Sequence, residues 1–205
     1  MNVALVLGFA ECVADDVQAL EEMLGRPWDG ITVAVNDAGW WWPRRLDYWC
    51  SLHSEHFEAP TREHPDRKGW RKRRAGLGYP DGYKTVAAAG HEARGGAVDL
   101  VLGRAMRDGL SEGSSGLLGI QWGLTMQPKV VSCGIPMDRR PHHRGTTAEG
   151  LFKTANEEAD HKKLATFRRL WEQEAVRLQG RVKSMSGWTR ELFGAPTLEW
   201  LHEQP

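Results

Sequence analysis

Hydrophobic residues recur along this chain in two periods, and the periods alternate. Val3 to Leu7 is an uninterrupted apolar run of strand length, and Gly8-Phe9-Ala10-Glu11-Cys12 turns the chain out of it. Val13, Val17, Leu20 and Leu24 then repeat at helical spacing. Asp15 and Asp16 stand near the start of that helix, where acids complement its dipole, and Gly25-Arg26-Pro27 ends it. Ile31 to Val35 predicts a second strand, Leu46 to Leu52 a third, and Lys84 to Ala88 and Val98 to Leu102 two shorter ones. The most informative stretch runs from Glu112 to Asp138. A small-residue turn, Gly113-Ser114-Ser115-Gly116, opens a helix with Leu117, Ile120 and Leu124 on one face, broadened by Leu118 and Trp122. Pro128 forbids its continuation, and Val130 to Cys133 follows as a short buried strand. Glu157 to Leu178 predicts a long amphipathic helix, Arg181 to Met185 a last strand, and Trp188 to Phe193 a closing helical turn or two. Apolar strands alternating with helices from Val3 to Val35 and from Leu117 to Cys133 predict a three-layer α/β fold with a mainly parallel sheet. At 205 residues one domain accommodates all of it, from residue 1 to 205.

Charge narrows the function classes. The chain carries 27 basic and 27 acidic residues, so no global positive field favours nucleic acid. With no zinc-finger or helix-turn-helix pattern either, direct reading of DNA sequence is not expected. Cys12, Cys50 and Cys133 lack metal-type spacing and cannot all pair with one another, which fits a reducing compartment. No residue is assigned as a metal ligand on spacing. The first residues have no basic n-region and turn acidic early, and no apolar run approaches ~20 residues, so a cytoplasmic protein without a membrane span is expected. Tryptophans concentrate at 40 to 42, 49 and 70. They are expected to pack core and cover helices, although Trp40, Trp41 and Trp42 cannot all face inward. From about 59 to 82 the character changes to a basic insertion carrying Arg62, Arg67, Lys68, Arg71, Lys72, Arg73 and Arg74 among prolines and glycines. Its plain role is a solvated surface; its functional role would be a lid gripping phosphate or an acidic acceptor.

Candidate chemistry collects at the predicted strand ends. Ligands of open parallel sheets lie beyond the carboxyl ends of the strands, and helix N-termini attract anions such as phosphate. Gly8, Phe9 and Ala10 occupy the first such end, Asn36 and Asp37 the second, and Gly134 and Pro136 follow the strand after the central helix. Ser114, Ser115 and Gly116 sit at that helix's start. Asn36 offers a donor and acceptors suited to a base or ribose. The third strand delivers His53 and Glu55 to the same edge. Each residue also has a structural alternative: Ser114 as an N-cap, the glycines as packing positions, Asn36-Asp37-Ala38-Gly39 as turn chemistry. The chain has no GxxxxGK[ST] loop, which excludes a P-loop NTPase, and no GxSxG or HExxH, which weighs against common hydrolases and zinc peptidases.

In order, the chain presents Leu5-Val6-Leu7-Gly8, Val33-Ala34-Val35-Asn36-Asp37, Gly113-Ser114-Ser115-Gly116, Cys133-Gly134-Ile135-Pro136-Met137-Asp138 and Val182-Lys183-Ser184-Met185-Ser186-Gly187. This combination resembles the Rossmann-like domain shared by Maf-type flagellin glycosyltransferases and archaeal 6-hydroxymethylpterin diphosphokinases, which is akin to bacterial sialyltransferases. The similarity covers about residues 2 to 138 and 181 to 194. The tail SMSGWTRELFG is also similar to that of short proteins carried by phages and prophages. The resemblance implies a nucleotide at the strand ends, with the two glycine turns near its phosphates and Asn36 near the nucleoside. Two departures stand out. The turn GFAEC is poorer in glycine than its counterparts, with Glu11 bringing negative charge that either a metal ion such as Mg2+ or a different placement of the ligand would relieve, and the basic insertion has no counterpart.

Three functional expectations follow. The first is a nucleotide-dependent group transferase, glycosyltransferase-like, using a nucleotide sugar. His142 or His143 would act as general base, since sialyltransferase-like enzymes carry a catalytic histidine in this region and imidazole titrates near neutrality. Arg139, Arg140 and Arg144 would hold the leaving phosphate. The second is ATP-dependent diphosphoryl transfer of the pterin type, with Asp37, Asp138 and Glu11 as the available magnesium ligands. The third is a non-catalytic nucleotide- or metabolite-binding accessory protein of a phage.

Overall fold

The structure is a computed structural model that describes residues 1–58, 69–90, 98–103, 114–138 and 157–203. Its strands are β1 (Val3–Leu7), β2 (Thr32–Val35), β3 (Tyr48–Cys50), β4 (Lys84–Ala88), β5 (Leu100–Leu102), β6 (Lys129–Cys133) and β7 (Val182–Ser184). The helices are α1 (Val13–Leu24), α2 (Ala38–Trp41), α3 (Trp70–Gly76), α4 (Ser115–Met126), α5 (Glu157–Leu178), α6 (Gly187–Phe193) and α7 (Leu198–His202). All seven strands form one sheet in the order β5-β4-β3-β2-β1-β6-β7, and every pairing is parallel. The fold is a three-layer, Rossmann-like α/β fold. Strand order reverses between β1 and β6, so the sheet has its topological switch point there.

The layers follow from the alternation of side chains along each strand. On β1, Val3, Leu5 and Leu7 join Val13, Val17 and Leu20 of α1 on one face, whereas Ala4 and Val6 meet Leu117, Leu118 and Ile120 of α4 on the other. Both faces of the strand are dry, and its five residues are all fully buried. Helix α4 lies unusually close to the sheet. A Cβ added to Gly119 would come within 2.4 Å of Val35 Cγ2, and one on Gly123 within 2.9 Å of Val130 Cγ2. Glycine at these positions lets the helix backbone rest on the strands, while Trp171 of α5 covers the same helix near Gly116. The single apolar face expected for α4 is therefore replaced by burial nearly all round.

Three other expectations are modified. Only Tyr48–Cys50 of the predicted third strand pairs with neighbours. The turn Asn36-Asp37-Ala38-Gly39 runs into the short helix α2. Part of the basic insertion is the helix α3, and Arg74 within it is buried rather than solvated. Its guanidinium donates to the carbonyls of Gly39, Trp42, Arg44 and Pro80. A planar donor fork so fully matched by carbonyls fixes the chain after β2. Residues 59–68 lie outside the described residues. Among the tryptophans, Trp40 and Trp42 are buried and Trp41 is half-buried. Trp49 is fully buried, stacked on Trp70 at 5.8 Å and set edge-on to Phe57 and Tyr83. No helix of the described residues is long and apolar enough to cross a membrane.

The close seat of α4 is testable. Gly119→Ala forces Val35 aside and should cost about 1–3 kcal/mol in urea unfolding. Gly76→Ala, whose Cβ meets nothing within 4 Å, should leave stability unchanged or raise it by up to about 1 kcal/mol.

Candidate functional site

The carboxyl edge of the sheet is built around the switch point. Gly8 N–H donates to Cys133 O at 2.8 Å, and Ala10 N–H to Gly134 O at 3.1 Å. A Cβ on Gly8 would lie 2.2 Å from Gly134 O, so the two glycine turns are in backbone contact and only glycine fits. Gly134 has φ +67°, and its N–H donates to Asp16 Oδ2 at 2.7 Å. Ser186 Oγ donates to the same oxygen at 2.6 Å. Asp16 is thus a buried carboxylate joining α1 to the turns after β6 and β7. From the sequence it reads only as a first-turn acid.

The expected nucleotide residues connect in a chain of contacts along this edge. Gly8 touches Gly134 and Ile135, and Ile135 lies against Gly116. Ser115 Oγ accepts from Leu52 N–H beyond β3. Ser51 Oγ donates to Asn36 Oδ1 at 2.9 Å, and Asn36 sits at φ 50°, a left-handed conformation that Asn tolerates. Ser114 is the N-cap of α4: its Oγ accepts from Leu117 N–H and from Trp171 Nε1. With both acceptor positions used, the hydroxyl retains one proton to donate. The N–H groups of Ser115 and Gly116 are the other donors of the helix's first turn.

Five candidates face elsewhere. Phe9 is buried against Trp40 and Trp41, with ring centroids 5.9 and 6.1 Å away, and Ala10 is buried beside it in sequence. Asp37 Oδ1 accepts from the indoles of Trp40 and Trp70 at 2.8 and 3.1 Å. Pro136 and Asp138 lie against Gly187 at the start of α6. Strands β2 and β6 flank β1, so the strand axes leading to Asp37 and Asp138 are roughly 10 Å apart. Glu11 is exposed. His142, His143, Arg139, Arg140, Arg144 and Gly113 lie outside the described residues.

Beyond Ser51 the chain makes a 3₁₀ turn, Ser54–Phe57, which gathers His53, Glu55 and His56. His53 Nδ1 lies 3.2 Å from Glu55 Oε1, and the two imidazoles stack at 5.3 Å and 20°. His53 and Glu55 were expected at this edge; His56 was not singled out, although its spacing from His53 was the available signal. Partial burial pushes the Glu55 carboxyl up, but its own backbone N–H, the His53 ring and the charge of His56 outweigh this and hold it below the ordinary value.

Comparison with protein-family models, with curated proteins and with solved structures finds no match. The fold and the edge therefore define a class, a parallel α/β protein with its polar groups along the carboxyl edge of the sheet, and function has to be argued from the groups themselves.

Two measurements check this account. Asp16→Ala removes the acceptor of the Gly134 N–H and the Ser186 hydroxyl and should cost about 1–3 kcal/mol for each donor left buried, read from chemical denaturation. The three cysteines are buried and form no disulfide, and burial pushes the Cys50 and Cys133 thiols well up. At pH 8 both stay protonated in the folded protein, so a thiol reagent should label them only on unfolding.

Proposed function

We propose that this protein is a nucleotide-dependent group transferase of the glycosyltransferase-like kind, holding a nucleotide sugar along the carboxyl edge of the sheet. The observation that carries the reading is the convergence of Gly8, Asn36, Ser114, Ser115 and Gly134 on one edge beside the reversal between β1 and β6. The donors offered there suit phosphate: the hydroxyl proton of Ser114 and the first-turn N–H groups of Ser115 and Gly116 in a helix of 12 residues. The N–H groups of Gly8 and Ala10 are engaged by the turn after β6. This moves the phosphates of the proposed ligand toward α4 and away from the first glycine turn. Asn36, its Oδ1 oriented by Ser51, keeps its amide N–H groups for the base or ribose.

Sugar transfer is favoured over diphosphoryl transfer because Asp37 is engaged by two indoles and Asp138 lies beyond β1 from it. Those two carboxylates are poorly placed to share a magnesium ion on ATP. In the proposed reaction His142 or His143 takes the acceptor's proton as the sugar leaves the nucleotide.

A thermal-shift screen in chelator, with nucleotides and nucleotide sugars, tests the binding step, since a ligand that binds only the folded state raises Tm. A nucleotide sugar should raise it in the natural protein, and less in the Ser114→Ala/Asn36→Ala double variant. His142→Ala or His143→Ala should lower turnover by about 10²–10⁴ while the donor still binds. Full activity of both histidine variants, with ATP-dependent transfer lost in Asp37→Asn or Asp138→Asn, would replace sugar transfer by the diphosphokinase reading. Binding without turnover of either donor class would leave a binding protein.

A further inference from the structure

We infer that His53, Glu55 and His56 form a binding site for a divalent transition metal of the zinc class, open at one coordination position. The inference stands independently of the proposed function. It begins with the backbone. In a 3₁₀ turn, side chains three residues apart eclipse one another. His53 caps the turn Ser54–Phe57 and His56 lies three residues on, which is why their rings stack at 5.3 Å with only 20° between planes. Glu55, between them in sequence, reaches the same place: one donor atom from each of the three side chains lies within 4.8 Å of the other two. Among the described residues this is the one group of three or more His, Cys, Asp or Glu side chains so arranged.

The donor set selects the metal. Two imidazole nitrogens and a carboxylate oxygen suit zinc and its neighbours rather than magnesium or calcium, which prefer oxygen alone. Two donors held at about 2.1 Å in a tetrahedral site lie roughly 3.4 Å apart. His53 Nδ1 and Glu55 Oε1, at 3.2 Å, are already at that separation. Binding replaces the hydrogen bond of this pair with two bonds to the metal ion, and the three donor atoms, all within 4.8 Å of one another, close on it. The second carboxylate oxygen, Glu55 Oε2, is buried and accepts no hydrogen bond among the described residues. Leaving such an oxygen without a cation or donor is costly, and a bound metal supplies the missing charge.

The surroundings hold the ligands in place. His53 N–H donates to Ser51 Oγ at 2.8 Å, which ties the turn to Asn36. His56 meets Trp70 edge-on at 5.1 Å, and Trp70 is itself packed on Trp49 and Phe57. Three protein ligands with a fourth position exchangeable is the pattern of a catalytic rather than a structural zinc site. That position would be open to water or to an anionic oxygen of a ligand.

The test is titration of the full chain, stripped with chelator, with zinc chloride in a calorimeter and no nucleotide present, so that the outcome does not depend on the nucleotide site. One equivalent should bind, and zinc should raise Tm. His53→Ala and Glu55→Gln should each weaken binding more than about tenfold, and His53→Ala/His56→Ala should abolish the one-equivalent event. Because the His53 side chain is 50% exposed, His53→Ala should remain folded, which its circular dichroism and melting curve will establish. The chain has eight histidines, so binding that persists unchanged in folded His53→Ala lies at other residues and overturns the inference. Absence of saturable zinc binding by the natural protein overturns it equally.

Discussion

The carboxylate of Asp16 holds the centre of this structure. It is buried, it accepts from the Gly134 backbone and from the Ser186 hydroxyl, and so it binds α1 to the turns that follow β6 and β7. A buried carboxylate without partners would cost several kcal/mol, so the two donors are conditions for the fold and not additions to it. Gly134 can present its N–H only because it adopts a left-handed conformation, with Val13 of α1 directly beneath. Gly8 completes the arrangement by pressing its backbone on Gly134. Where strand order reverses, the molecule is therefore locked by its own hydrogen bonds.

That lock determines where a ligand would lie. Open α/β sheets receive ligands at the switch point because the crossovers part there and leave a crevice. In this chain the first turn faces its neighbour instead of solvent, and the remaining polar donors are displaced along the edge toward α4 and β3. Ser114, Ser115, Ser51, Asn36 and the histidine turn make up that half of the edge. Helix α4 reaches it because glycine faces the strands at Gly119 and Gly123. The same close packing that stabilises the core sets the position of the helix's N-terminal donors.

A second anchor lies under α2. Trp49 fills the space beside Gly39, where a Cβ would approach within 1.9 Å of the indole, and its Nε1 donates to Asn36 O. Arg74 satisfies the carbonyls of the loop that follows. Aromatic and basic residues concentrated between positions 40 and 74 thus fix the backbone behind Asn36 and the histidine turn, and Arg73 stacks over Trp40 at 3.5 Å in the same layer.

Periodicity alone located every strand to within a few residues and gave α1 and α5 their observed bounds. It also placed Gly8, Asn36, Ser115 and Gly134 at strand ends or a helix start, because side-chain period and glycine turns are local properties. Which ends become neighbours is not local. Asp16 finds Gly134 and Ser186 across 118 and 170 residues of chain, and no spacing in the sequence announces that pairing. A run of arginines looks solvated until carbonyls from a separate loop surround Arg74. His56 looks incidental until a 3₁₀ turn eclipses it with His53. Sequence by itself determined the strands, the helices α1, α4, α5 and α6, and the edge that carries the polar groups. Tertiary structure decided which of those groups remain available, because each buried donor or acceptor must find a partner and the partners are supplied from distant parts of the chain.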